Sequence, residues 1–200
     1  MIIGPRYKKA RKLGIPVFEK TQTPKYTAHL ASKSKPQGGR GRTEYAMQML
    51  EKQRARFSYG VGEKQFFNYV KKALSEKGDT SLALVRMLEG RLDNVVLRLG
   101  MLASRAASRQ AVSHGHITVN GKKVTIPSYQ VSLGDIISIR TGSQSKPLFV
   151  SAWEKAKKAP IPAWIKFDFD KQQARIDGEP KVATTELLFN VKSVLEFYTR

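Results

Sequence analysis

The 200-residue chain contains no cysteine, so neither a disulfide nor a thiolate-ligated metal can hold it together. Its three histidines, at 29, 114 and 116, are too few and too scattered for a metal site built from histidine alone. No uninterrupted apolar run approaches the ~18 residues that a bilayer-spanning helix needs. After Met1-Ile2-Ile3 the chain turns directly to Gly4-Pro5-Arg6, which leaves no apolar centre for a secretory signal. An intracellular, soluble protein is the expectation. Acid is scarce as well: 16 Asp and Glu stand against 36 Lys and Arg, a net charge of +20. A chain so unbalanced repels itself unless a polyanion is near, and the usual polyanions are nucleic acid and anionic membrane surfaces. Hydrophobic residues still make up 40% of the chain, enough for folded cores in one or two domains of roughly 100 to 150 residues.

The positive charge is unevenly placed. Residues 1–60 hold 14 basic and 3 acidic side chains, residues 91–150 hold 8 and 2, and the two remaining stretches are close to balance. Residues 1–42 carry Glu19 as their only acid, as an organellar transit peptide would, but Gly4, Pro5, Gly14, Pro16, Pro24 and Pro36 interrupt any long amphipathic helix. The same interruptions argue against a membrane-surface helix. Pro5 to Gly14 allows two turns at best, and Ser34 to Arg42 reads as irregular. The expectation is an extended basic arm, unordered until it threads among phosphates.

From Thr43 the pattern becomes helical. Thr43 is a good N-cap, Glu44 suits a first turn, and Gly60 stands where a helix would stop. Ala46, Leu50 and Phe57 share a face, with Lys52, Arg54 and Arg56 on a basic side. Phe66, Val70 and Leu74 line a second helix that Gly78-Asp79 breaks, and Leu82, Val85 and Leu88 line a third over Thr80 to Leu88.

Arg91 to Arg140 is the most informative stretch. Leu92, Val95, Val96 and Leu99 make a helix seam that Gly100 ends. Ser104 caps a second helix to about His114, with Ala107, Ala111 and Val112 inward. Arg105 and Arg109 lie one turn apart on one side, with Ser108 beside them. Like charges at that spacing are unfavourable without an anion, so the pair asks for a ligand such as successive RNA phosphates. Asn120-Gly121 then joins two alternating runs, Ile117 and Val119 before it and Val124 and Ile126 after it, as a hairpin. Val131 to Arg140 reads as a turn followed by another strand. Further on, Ile165, Phe167 and Phe169 alternate with Lys166, Asp168 and Asp170 in the manner of a half-buried strand.

The runs Arg91-Leu92-Asp93-Asn94-Val95-Val96, Ser104-Arg105-Ala106-Ala107-Ser108-Arg109-Gln110-Ala111-Val112-Ser113-His114-Gly115-His116-Ile117, Val119-Asn120-Gly121 and Pro127-Ser128-Tyr129-Gln130-Val131 closely resemble the RNA-binding module of the small-subunit ribosomal protein number four family. Glu51 to Val61, Glu63 to Phe66 and Leu88-Glu89-Gly90 resemble that family's helical domain. Gly4 to Tyr7 with Arg11 to Gly14 resembles its basic start, and Pro162 to Ile165 with Glu196 to Arg200 its tail. The resemblance implies an α+β fold: a basic arm (1–42), a small helical domain (43–90) joined by 187–200, and an inserted RNA-binding domain (91–186). The module itself, two short helices on a small antiparallel sheet, falls at about 91–140.

It also implies a non-enzymatic protein without cofactor, metal, small-molecule substrate or membrane. Such a protein binds the 5′ domain of 16S rRNA, nucleates small-subunit assembly, touches ribosomal protein number five of that subunit and the mRNA, bears on translational accuracy, and in some relatives represses its own mRNA. By matching position, Arg6, Lys8, Lys9, Arg11, Lys12, Lys52, Arg54, Arg56, Tyr59, Lys64, Arg91, Arg105, Arg109, Gln110, Ser113 and His114 would bind rRNA, and Arg40 and Arg42 would face the mRNA entrance. The cytoplasm or a plastid stroma would house the subunit.

There are departures. Many relatives carry a four-cysteine zinc knuckle that this chain lacks; Phe67 stands where relatives commonly have arginine; and residues 171–186 match no motif. Two alternatives share the module: an RNA-modifying enzyme, for which no catalytic domain is present, and a non-ribosomal RNA-binding protein, which would not resemble the family on both flanks.

Overall fold

The computed structural model describes residues 4–33, 43–182 and 186–199. Along the chain run helices α1 Arg6–Leu13, α2 Pro24–Lys33, α3 Glu44–Ser58, α4 Glu63–Ser75 and α5 Thr80–Glu89. Then come α6 Leu92–Arg98, α7 Arg105–Ser113, strands β1 Ile117–Val119, β2 Lys122–Lys123 and β3 Ile136–Ile139, and short helices α8 Thr141–Gln144, α9 Pro147–Val150 and α10 Ala152–Lys158. Strands β4 Ile165–Asp168 and β5 Gln173–Ile176 and helix α11 Val191–Thr199 follow. The fold is α+β. It divides into two compact units, Met1–Ser81 with Ala183–Arg200, and Leu82–Val182.

In the first unit the basic start is helical rather than extended. Gly14 adopts a left-handed φ of +71° and returns its N–H to Ala10 and Arg11, which ends α1. Ala10, Leu13, Val17 and Phe18 then bury themselves beside Leu50 and Phe57 of α3. The apolar residues between the lysines supply what an extended arm lacks, a surface to fold onto. Helix α3 starts at Thr43, whose Oγ1 accepts from the Ala46 N–H, and α11 packs along it. Gln48 donates to Glu196 at 3.3 Å, and the Asn190 N–H donates to Glu51 at 2.7 Å. In α4 the buried face is Phe66, Val70 and Ala73. Leu74 is exposed, because the seam steps by three to Ala73 instead of by four.

The second unit has one core. Leu92, Val95, Val96 and Leu99 of α6 and Ala111 and Val112 of α7 pack with Ile117, Ile137, Ile139, Ile165, Ala174 and Ile176 of the sheet. Burying one such side chain is worth about 1.5–3 kcal/mol. The sheet is antiparallel in the order β2-β1-β3-β5-β4. Asn120 and Gly121 have φ values of 50° and 76°, the two left-handed residues of a primed turn. The Asn120 side chain also accepts from the Ile136 N–H and donates to Asp135, which ties the hairpin to β3.

Expectations fail in this unit at Leu82, Ile126 and Phe169, the last exposed because β4 ends at Asp168, and one stretch left open is filled. Leu82 is exposed, since the buried run of α5 begins at Ala83. Ile126 is exposed, since β2 ends at Lys123. Within the unassigned residues 171–186, Gln173–Ile176 forms β5, the strand between β3 and β4.

Candidate nucleic-acid interface

Helices α6 and α7 pack against each other over a buried polar network. Asp93, on the first turn of α6, is 1% exposed. Both of its oxygens accept from Arg91, at 3.0 and 2.7 Å, and Arg109 reaches across from α7 to the same carboxylate at 3.1 Å. Glu89, at the end of α5 and fully buried, holds Arg98 through two bonds of 3.0 and 2.9 Å. The Asn94 amide donates to the Glu89 carboxylate and carbonyl, and its oxygen accepts from Arg105. Ser104 caps α7 by accepting from the Ala107 N–H, which sets the rotation of the whole α7 face.

Two buried acids and one amide thus fix four guanidinium groups. Because each buried carboxylate must be charge-paired to avoid a large desolvation cost, the arginines are held in place before any ligand arrives.

This changes the roles expected of several residues. Arg91 is fully buried; its guanidinium serves Asp93 and presents no face to RNA. Arg105 and Arg109 are not without polar partners, as their spacing alone suggested: they lean on Asn94 and Asp93 and remain partly exposed. Gln110, Ser113 and His114 are exposed along and beyond the end of α7. Glu89 and Arg98 were not singled out in the sequence. The only signal was two opposite charges nine residues apart, on helices whose angle the sequence does not give.

In the first unit, Lys52 is buried, bonded to Glu63 at 2.8 Å and seated 4.3 Å over the Phe197 ring. Arg56 pairs with the same Glu63. The Tyr198 hydroxyl donates to it at 3.1 Å. Burial pulls the Glu63 carboxyl upward, but the bonds from Lys52, Arg56 and Tyr198 outweigh it and hold it below its ordinary 4.5. Burial and the Glu63 charge push the Tyr198 phenol up.

Arg54 donates twice to the Leu13 carbonyl, at 2.9 and 2.8 Å, and so closes the end of α1. Tyr59 is buried against Phe189. Lys52 and Tyr59 therefore pack the fold instead of facing outward, and Arg54 and Arg56 are anchored within it. Lys64, Lys8, Arg11 and Lys12 are exposed, while Arg6 and Lys9 are half-buried, with Lys9 4.8 Å over the Phe57 ring. Arg40 and Arg42 lie outside the described residues. Among the described residues, no group of acids and histidines is arranged to hold a metal.

Residues 1–89 match the ribosomal protein S4/S9 N-terminal domain, and residues 90–137, from the Arg91 network to β3, match the S4 domain. A Chlorobium phaeovibrioides protein named small ribosomal subunit protein uS4 is 44% identical over 198 residues, 98% of either chain. The chain belongs to the uS4 family. The same name is borne by a Chlorobium limicola relative at 42% identity over 198 residues and by one from Mycobacterium sp. strain KMS at 41% over 202, each again covering 98% of both chains. Family proteins are structural and non-enzymatic, and the S4 domain of uS4 is an RNA-binding one. No described helix is long and apolar enough to cross a membrane.

Proposed function

We propose that this chain is a structural constituent of the small ribosomal subunit in the cytoplasm, where it binds the 5′ domain of 16S rRNA and helps nucleate assembly. The observation that carries the reading is the α7 face, on which Arg105 and Arg109 are held on Asn94 and Asp93 with Gln110, Ser113 and His114 exposed beside them. Guanidinium groups fixed in advance lose little freedom when they meet phosphate, and their planar forks suit it. Membership of the uS4 family along 98% of the chain supports the ribosomal setting over a free-standing RNA binder. Lys64, Lys8, Arg11 and Lys12, with Arg6 and Lys9, extend the rRNA surface. The finer assignments rest on the resemblance: contact with ribosomal protein number five, a place at the mRNA entrance for Arg40 and Arg42 with its bearing on accuracy, and repression of the chain's own mRNA.

The test is binding to 16S 5′-domain RNA across a salt series. Arg105→Ala and Arg109→Ala should each lower the slope of log affinity against log salt by ~1 and weaken binding, and slopes equal to the parent's would overturn the reading. The protein should also sediment with small subunits in low salt and be stripped from them in high salt.

A further inference from the structure

Outside the α6–α7 network, a second set of cations gathers at one corner of the same unit. Strand β1 is paired with β3, Ile117 opposite Ile139, and one step beyond the ladder the Arg140 N–H donates to the His116 carbonyl at 2.8 Å. Two tight turns follow, Ser143 N–H to Arg140 carbonyl at 2.8 Å and Lys146 N–H to Ser143 carbonyl at 3.1 Å. They fold Arg140, Ser143 and Lys146 around the His116 ring. Across the hairpin, the Lys123 side chain lies against Gly115, and His114 stands 6.0 Å from His116, ring to ring.

The ring of His116 is fixed. Its Nδ1 shares a 2.9 Å hydrogen bond with the buried Ser143 hydroxyl, and Phe149 meets it edge-on at 5.3 Å. When Ser143 donates that bond, Nε2 carries the ring proton, with no partner among the described residues. Arg140, Lys146 and Lys123 are exposed and make no ion pair with any described residue, in contrast to Arg91, Arg98 and Arg109.

We infer that His116, Arg140, Lys146 and Lys123 form a phosphate-binding corner, a second contact for the RNA backbone that lies beyond α7. The inference rests on the proposed RNA-binding reading and extends it to residues outside the α7 arginine row. RNA suits the corner better than a small free anion, because the cations spread over β2, the end of β3 and the α8–α9 junction rather than closing on one point.

The groups facing His116 are His114 from the end of α7, Arg140 from the end of β3 and Lys146 before α9, with Lys123 of β2 beside the neighbouring Gly115, all basic or neutral. Burial, and after it Lys146, His114 and Arg140, hold the imidazole below its ordinary 6.5. An arriving phosphate reverses the charge part of that balance but not the burial, so binding is accompanied by proton uptake and strengthens as pH falls through and below the ordinary imidazole value of 6.5.

The test uses the full chain, 16S 5′-domain RNA and a double variant, Arg140→Ala with Lys146→Ala, whose side chains are exposed and have no ion pair among the described residues, so that melting is unchanged. Its salt slope should fall by about 2. Inorganic phosphate, matched for ionic strength, should compete no better than chloride. The His116→Gln variant should lose most of the affinity gain between pH 7 and pH 5. A folded double variant with the parent's slope overturns the corner, and if Arg105→Ala still lowers the slope the RNA reading stands without it. Specific competition by phosphate at matched ionic strength overturns RNA as the ligand. A parent chain that does not bind the RNA overturns both readings.

Discussion

Both units tether arginines to carboxylates, but at different depths. In the second unit Asp93 and Glu89 are sealed under α6 and α7, and Arg91, Arg98 and Arg109 reach inward to them. In the first unit the shared acid, Glu63, has a side chain 46% exposed, and the buried Lys52 and the mostly covered Arg56 reach outward to it. Strength of tethering follows depth, since water screens Glu63 and cannot reach Asp93. The difference separates two uses of positive charge. An arginine on a buried acid belongs to the architecture and is aimed by it, whereas a cation with no acid beside it among the described residues, such as Lys64 or Lys146, is left for a partner. The net charge of +20 therefore overstates how many side chains are available to a polyanion.

The largest effect should come from the buried acid. Asp93→Ala removes the carboxylate that the enclosed Arg91 guanidinium and Arg109 share, and urea unfolding should show a loss of about 3–5 kcal/mol. A loss below ~1 kcal/mol would erase the contrast between the units. Next comes Arg54→Ala, which removes both bonds to the Leu13 carbonyl. About 1–2 kcal/mol should disappear, with amide exchange in α1 accelerating before exchange in α3.

Glu63→Gln is the mildest, at ~1 kcal/mol or less by the same unfolding assay. Its signature lies in pH. A carboxyl held below 4.5 in the folded state gives stability that is complete above that value and drains away as pH falls through the folded value. The parent should lose stability over that acid range more steeply than the Gln variant does, and equal acid limbs would show that Glu63 is not a tether at all.

What the sequence made legible was local. Thr43 and Ser104 as caps, Gly100 as a stop and Asn120-Gly121 as a hairpin turn are each decided by one or two residues whose backbone preferences are strong. The module's two helices and its first strands followed from those signals. Partnership was not legible, because Arg109 and Asp93 are 16 residues apart and meet only through the packing of two helices. The exposure of Leu74, Leu82 and Ile126 was hidden for a related reason. Each satisfies a periodic pattern that also admits a neighbour, and packing chose the neighbour or ended the element. β5 escaped notice because four residues of Gln173–Ile176 hold only two inward positions, too short a run for alternation to register.

The pairing of α3 with α11 carries a consequence for timing. Gln48 and Glu196 are 148 residues apart, yet they close the same unit, while the second unit is a continuous stretch between them. A chain emerging from synthesis can complete the inner unit, including β5, before α11 exists. The outer unit has to keep one face of α3 uncovered through that interval and close last, in a slow step set by the distance along the chain that its contacts must span.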